Sequence, residues 1–351
     1  MTTARQWVAA AFGGPEVLRN IEVDVPDPGP GQVTIGVRAC GMNPADAKHI
    51  APGQDAGLLP LSIGYEVAGL VTALGPDTEL ASGGGAPGQE VIAQVTGGYT
   101  TAITTSASSV FAKPSTLTFP EGASLLLAGT TAADLLHTSG ASPGETVLLH
   151  GAAGAVGMSV LQQARILGVR VVGTASPPNF GLIRRFGGIP VAYGPGLLDR
   201  VRSAAPEGVA SALDTVGSDE AGDTSLALVA NRARVVTIAA AARAKADGYV
   251  FIGASNPASA PFRARIRSRI LQLAQDGDLV VPMAETFTFD DAPAAFATLT
   301  APHPPGKLAL VNEHKGGCVG GLRSAQRSSR NVAASSAICV AESTGLSRRS
   351  S

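Results

Sequence analysis

Apolar and polar positions change period along this chain, most sharply between Glu145 and Ser176. Thr146–His150 is a short apolar run between Pro143-Gly144 and Gly151. It is too short for a helix and predicts a strand. Val156, Val160, Leu161, Ala164 and Leu167 then recur on one face at helical spacing, and Gly168 stands where such a helix would stop. Val169–Thr174 predicts a second strand. Strand, turn, helix and strand together span about 30 residues, the size of a βαβ crossover.

On either side of this unit the pattern differs. Gln6–Ala11 and Gln32–Ala39 are β-rich, the second with Val33, Ile35 and Val37 alternating inward. Val91–Val95 and Tyr99–Thr105 predict a hairpin turning at Gly97-Gly98, and the Gly-rich Thr78–Gln89 predicts a surface loop. From Pro120 helices and strands alternate. Glu121–His137 and Arg263–Asp276 predict helices, the latter carrying Arg263, Arg265, Arg267 and Arg269 on a solvated face. Ala210–Asp214, Arg234–Ile238 and Tyr249–Ile252 predict further strands. Glu285–Phe289, a helix near Ala292–Leu299, and Lys307–Val311 return to mixed character.

Alternation of βα in the middle implies an α/β protein with a doubly wound parallel sheet. The expected organisation is a β-rich domain built from residues 1–117 and 285–311, wrapped around a dinucleotide-type domain at 118–284. Residues 312–351 hold nine serines, five glycines and six Lys/Arg against two Glu, with no aromatic residue. Such a basic tail buries too little apolar area to offset chain entropy, so disorder is expected.

Composition narrows the function classes. The chain has 351 residues, 45% hydrophobic and 15% charged, and a net charge of −1. That suits a globular protein and gives no reason to expect a nucleic-acid or membrane partner. The uncharged run Thr146–Ala164 is broken by glycines and two glutamines, which argues against a membrane span. Cys40, Cys318 and Cys339 show neither metal-type spacing nor a pairing scheme, and no signal-peptide pattern opens the chain. A reduced, cytoplasmic setting is expected, with Cys40 as a small core residue.

The turn Gly151-Ala152-Ala153-Gly154-Ala155-Val156-Gly157 carries the candidate chemistry. Gly154 leaves room for a pyrophosphate to approach the backbone, and Gly157 allows close helix–strand packing. The amides of Ala155 and Val156, at a helix N-terminus, would face the anion. Spacing here is G-x-x-G-x-x-G, which acquires meaning only in its strand–turn–helix setting. An NAD site usually offers an acid about 20 residues on, yet no Asp or Glu lies between Met158 and Leu198. Ser176 and Asn179 instead offer hydroxyl and amide groups to a 2′-phosphate, with Arg184 or Arg185 as the alternative source of charge. NADPH is therefore preferred over NADH as the expected coenzyme.

Six ordered motifs then point to a family: Phe12-Gly13-Gly14-Pro15-Glu16-Val17-Leu18, the loop Ala39–Lys48, Gly64-x-Glu66-x-x-Gly69, Gly129-Thr130-Thr131-Ala132, His150–Gly157, and Gly306–Val311. Over residues 1–311 the chain resembles a quinone-oxidoreductase-type member of the medium-chain dehydrogenase/reductase superfamily. The resemblance implies a GroES-like catalytic domain with a Rossmann domain inserted. Zinc-dependent relatives place Cys, His and Cys where Asn43, Tyr65 and Leu127 stand here, and those three are poor Zn²⁺ ligands. A zinc-free site is expected, acting on quinones or α,β-unsaturated carbonyls, whose π-systems spread the developing charge.

The resemblance also implies that Tyr193 lies beside the adenosine phosphate, that Thr130 lies near the coenzyme, and that Asn43 orients nicotinamide or substrate. It further implies that Asp46 and Lys48 line or brace the Asn43 loop, with Lys48 able to donate to a developing enolate. The plainer alternatives are Asn43 as a helix cap, Asp46/Lys48 as an exposed pair worth little, Tyr65 as a packed core residue and His150 as structural. The tyrosine that many relatives carry just after this loop is missing from residues 51–55. Two other functions stay open, a non-catalytic NADPH-binding protein and an enoyl-thioester reductase, and a homodimer is a possible assembly.

Overall fold

A computed structural model describes residues 2–52, 55–253 and 256–312, all within one unit. The predicted disorder of the tail falls, from residue 313 onward, outside the described residues. The first part of the chain forms β1 (Thr2–Ala9), β2 (Leu18–Val25), β3 (Gln32–Met42), α1 (Pro44–His49), β4 (Leu61–Ser62), β5 (Glu66–Leu74), β6 (Glu90–Gln94), β7 (Ala102–Ser106) and β8 (Val110–Ala112). The middle part forms α2 (Phe119–Gly122), α3 (Leu126–Thr138), β9 (Thr146–His150), α4 (Ala155–Ile166), β10 (Arg170–Ala175), α5 (Phe180–Arg185), β11 (Ile189–Ala192), α6 (Leu197–Ala204), β12 (Ser211–Asp214), α7 (Asp219–Leu228), β13 (Val235–Thr237), α8 (Ala241–Asp247), β14 (Val250–Phe251) and α9 (Ser259–Gln275). The chain ends in β15 (Met283–Thr288), α10 (Ala292–Thr300) and β16 (Lys307–Val311).

The middle strands build one six-stranded sheet in the order β11-β10-β9-β12-β13-β14, with every pair parallel. This is the doubly wound 3-2-1-4-5-6 arrangement, whose order reverses beside β9 and opens a crevice at the strands' carboxyl ends. β9 is buried along its whole length, as a central strand covered on both faces must be. The two ends of the chain meet in the other large sheet, ordered β15-β16-β3-β5-β6-β8, with β7 also paired to β3. β16 runs antiparallel to β3, setting Leu310 opposite Cys40 and Leu308 opposite Met42.

Three local expectations need correction. Gly97-Gly98 does not turn a hairpin, because β6 pairs with β8 while β7 pairs with β3. The connecting backbone is instead taken up by residues 63–65: Val95, Gly98 and Tyr99 donate to the carbonyls of Tyr65, Gly64 and Ile63. The predicted helix Glu121–His137 is two helices, α2 and α3. It breaks where β3 passes so close that a Cβ at Gly41 would stand 1.8 Å from the Ala123 carbonyl oxygen. On α4 the buried stripe includes Val160, Leu161 and Ala164, but Leu167 lies past the last turn and is 47% exposed.

The arginine face of α9 is solvated only in part. Arg265 and Arg269 are exposed, whereas Arg263 donates through Nε to Asp134 Oδ2 at 2.7 Å, a carboxylate buried on α3. That pair ties α9 to α3, and burial draws the Arg267 guanidinium below its usual value.

Candidate functional site

A cleft of about 480 Å³ opens at the carboxyl ends of β9, β10 and β12, where the strand order reverses. Its floor is His150 and Gly151, its near edge Ala153 and Gly154, and its walls Thr174–Ser176, Asn179, Tyr193, Val216 and Glu220. The turn is shaped by backbone demands. Gly151 adopts φ 77°, and a Cβ there would meet Thr215 Oγ1 at 2.4 Å. Gly157 lies against the Gly151 carbonyl, which a Cβ would reach at 2.3 Å, whereas at Gly154 the nearest contact is 3.4 Å. Gly157 thus serves packing, and Gly154 leaves bare backbone at the mouth of the cleft.

Ala155 and Val156 open α4, and the first amides of a helix have no partner within it. Those donors, the helix dipole and the open Gly154 edge suit a diphosphate. The far wall is braced by Asp214, whose Oδ1 accepts from Val216 N at 2.8 Å and Gly217 N at 2.9 Å. Its Oδ2 accepts from Thr237 Oγ1 at 2.7 Å. Beneath the cleft His150 is buried, and its Nε2 lies 3.1 Å from Ser225 Oγ. Burial lowers the imidazole to about 4 against the opposing fields of Asp214 and Glu220, so it is neutral near pH 7.

A second polar group lies buried where β3, α1, β5 and β16 converge. Asn43 Nδ2 donates to Glu66 Oε1 at 3.0 Å, and Lys307 Nζ donates to Asn43 Oδ1 at 2.5 Å and to Met42 O at 2.8 Å. Lys307 also stands 3.6 Å from Glu66 Oε1, whose second oxygen accepts from Leu127 N at 2.7 Å. Beside them Asp46 Oδ2 accepts from Asn43 N and from Tyr99 Oη, both at 2.8 Å. Burial pushes the Asp46 carboxyl up to about 7 against those hydrogen bonds, and its other oxygen has no partner. Burial likewise draws Lys307 below the usual lysine value, with Glu66 opposing.

The residues singled out in the sequence divide between these places. Gly151, Gly154, Ser176, Asn179 and Tyr193 line one cleft, and Ala155, Val156 and Gly157 form the helix start at its edge. Asn179 Nδ2 donates to Ser176 Oγ at 3.2 Å, so the two phosphate candidates are already joined. Arg184 and Arg185 are exposed and lie over Phe180 and Phe186, away from the cleft lining. Asn43 belongs to the buried group instead, and Thr130 donates its hydroxyl to Leu126 O at 2.7 Å within α3. Lys48 is exposed near the end of α1, but Asp46 is fully buried, which removes the exposed-pair alternative. Cys40 is a buried core thiol directed at Thr100 O.

Sequence reasoning missed Glu220, the roles of Lys307 and Tyr99, and the pairing of Tyr65 with His49. Tyr65 Oη and His49 Nδ1 are 2.9 Å apart and their rings stack, so Tyr65 is half-buried rather than a sealed core residue. The only advance signals were the short motifs around Glu66 and Lys307. Nothing in their spacing indicates that residues 43, 66 and 307 meet.

The donor set where relatives hold zinc does not fit that ion. The Asn43 amide is engaged by Glu66 and Lys307, Tyr65 faces His49, and Leu127 offers only its backbone amide. The Lys307 ammonium, 3.6 Å from Glu66 Oε1, already serves as that carboxylate's counter-ion. Among the described residues no three His, Cys, Asp or Glu side chains form a group able to hold a metal. No helix among them is long and apolar enough to cross a membrane.

Comparison with known proteins matches residues 29–130 to the alcohol dehydrogenase GroES-like domain and residues 193–310 to the zinc-binding dehydrogenase domain. A quinone oxidoreductase from Sus scrofa is 38% identical over 170 residues, covering 47% of this chain and 50% of the relative. This chain thus spans about half the length of the curated relatives it matches. A quinone oxidoreductase structure from Pseudomonas syringae pv. Tomato superposes with a TM-score of 0.76 at 26% identity, covering 88% of this chain and 99% of that one. A mycobacterial structure solved with NADPH superposes over the same shares, with a TM-score of 0.74 and 28% identity.

Proposed function

This chain belongs to the medium-chain dehydrogenase/reductase superfamily, and from that premise we propose that it transfers hydride from NADPH to a quinone or an α,β-unsaturated carbonyl, without zinc. The observation that carries the reading is the cleft at the reversal of the parallel sheet, where Gly154 leaves the backbone open beside the start of α4. NADPH, when bound there, supplies the hydride.

This chain's own residues would divide the remaining work. Ala155 and Val156 offer amides to the diphosphate. Ser176 and Asn179 offer donors to the 2′-phosphate, and no Asp or Glu lies between Met158 and Leu198; Glu220, which also lines the cleft, accepts from Gly194 N through Oε2. Asn43 is held by Glu66 and Lys307, which fixes its amide plane and leaves one Nδ2 hydrogen for nicotinamide or a substrate oxygen. We assign Thr130 to the nicotinamide side through α3. Reduction of a conjugated carbonyl leaves negative charge on oxygen, which Lys48 can neutralise by donation. Tyr65, whose phenol is raised by burial and paired with His49, the residue that follows Lys48 in α1, is a second proton-bearing group.

The test is loss of the near-ultraviolet absorbance of NADPH against a panel of quinones and enones, with alcohols and simple ketones as controls. Turnover with conjugated acceptors that survives exhaustive chelation is the expected result. Tight NADPH binding with no turnover on any acceptor would favour a non-catalytic binding protein instead.

A further inference from the structure

The turn after β11 is fastened by charged side chains that the proposed hydride transfer does not require. Arg200, on α6, takes three of its carbonyls: Nε donates to Ala192 O at 2.9 Å, Nη1 to Pro195 O at 2.8 Å and Nη2 to Gly194 O at 2.7 Å. From the other side Glu220, in the first turn of α7, accepts from Gly194 N at 2.9 Å through Oε2. Each charge meets the backbone group of matching polarity, so the cation gathers carbonyls and the anion takes the amide. The turn itself passes through left-handed backbone at Gly194, φ 96°, and Gly196, φ 82°.

Tyr193 rides on this turn. Its side chain lines the cleft with Ser176, Asn179 and Glu220, and the residue is 60% exposed, unusual for so large a ring. Surface turns ordinarily carry mobile side chains. Here four charge-assisted hydrogen bonds fix the backbone on both sides of the ring. A ligand face prepared in this way costs less to order on binding.

We propose that Arg200 and Glu220 are positioning residues, a clamp that holds Tyr193 as a preformed aromatic platform for the adenosine 2′-phosphate half of the coenzyme. The proposal rests on the NADPH reading above and extends it to residues that no glycine motif marks. The clamp acts through the ring: Glu220 contributes by holding Gly194, and its own contact with the nucleotide is not needed.

A double-mutant cycle tests this. NADPH dissociation constants are measured by titration for the wild type, Tyr193→Ala, Glu220→Ala, Glu220→Gln and the Tyr193→Ala/Glu220→Ala pair. Loss of a base–aromatic stack predicts binding about tenfold weaker in each alanine variant, with the double variant no weaker than Tyr193→Ala alone. Glu220→Gln should recover most of the loss, because its amide oxygen still accepts the Gly194 N–H. With a quinone acceptor the effect should fall on KM for NADPH rather than on kcat. Additive losses in the double variant, or equal losses in Glu220→Ala and Glu220→Gln, would overturn the clamp and leave NADPH binding standing. A wild type that does not bind NADPH would overturn both.

Discussion

The cleft at β9 and the polar group around Asn43 are built on opposite principles. One is open, lined by glycine backbone, and leaves donors facing solvent. The other is sealed, and nearly every buried donor and acceptor in it is paired. An open site can change a side chain and lose only its ligand, whereas a sealed ionic group loses its fold when one partner is removed. The difference separates residues that hold the molecule together from those that read the coenzyme, with Asn43 proposed to do both through the Nδ2 hydrogen that Glu66 does not take.

Substitutions can break or sharpen that contrast, and the largest effect is expected in the sealed group. Lys307→Met should lower stability by about 3 kcal/mol, since Glu66 would keep its charge without its counter-ion. The urea midpoint measures this, and Glu66→Gln in the same chain should recover part of the loss. A single-variant cost below about 1 kcal/mol would mean that the group behaves like a surface pair.

Next in size is the contrast between two glycines of one turn. Gly157→Ala places a Cβ at 2.3 Å from the Gly151 carbonyl and should cost about 2 kcal/mol of stability. Gly154→Ala meets nothing closer than 3.4 Å, so its thermal midpoint should hardly move while NADPH affinity falls at least about tenfold. Equal thermal losses in the two variants would erase the distinction between packing and approach.

A pH profile gives a smaller effect with a definite sign. The Asp46 carboxyl, raised to about 7, keeps its proton in the folded chain after the unfolded chain has lost it. Its contribution is therefore full below about pH 4 and is lost as pH rises toward about 7. His150, lowered to about 4, works the other way over roughly pH 4 to 6.5. Comparison of wild type with Asp46→Asn isolates the first: the variant should gain relative stability steadily across that window. The smallest change is Ser176→Ala, expected to weaken NADPH by about fivefold and leave NADH unchanged, read by parallel titrations.

What the sequence made legible follows the same division. The cleft's core is local: one strand, one turn and one helix within residues 146–166 carry their own periodicity and glycine spacing. The sealed group joins β3, α1, β5 and β16, and residues 43 and 307 meet only because β16 pairs with β3. No period in a chain encodes such a meeting. Glu220 escaped for the same reason, since an acid was sought after β10 and this one enters from the start of α7. Gly97-Gly98 misled because two glycines between β-rich runs ordinarily turn a hairpin, whereas here that backbone binds residues 63–65.

Amide hydrogen exchange across residues 151–158, with and without saturating NADPH, tests the central claim most directly. Strong protection centred on Ala155 and Val156, lost in Gly154→Ala, is the result expected when those amides hold the diphosphate. Exchange there that stays unchanged while NADPH protects another part of the chain would contradict the account.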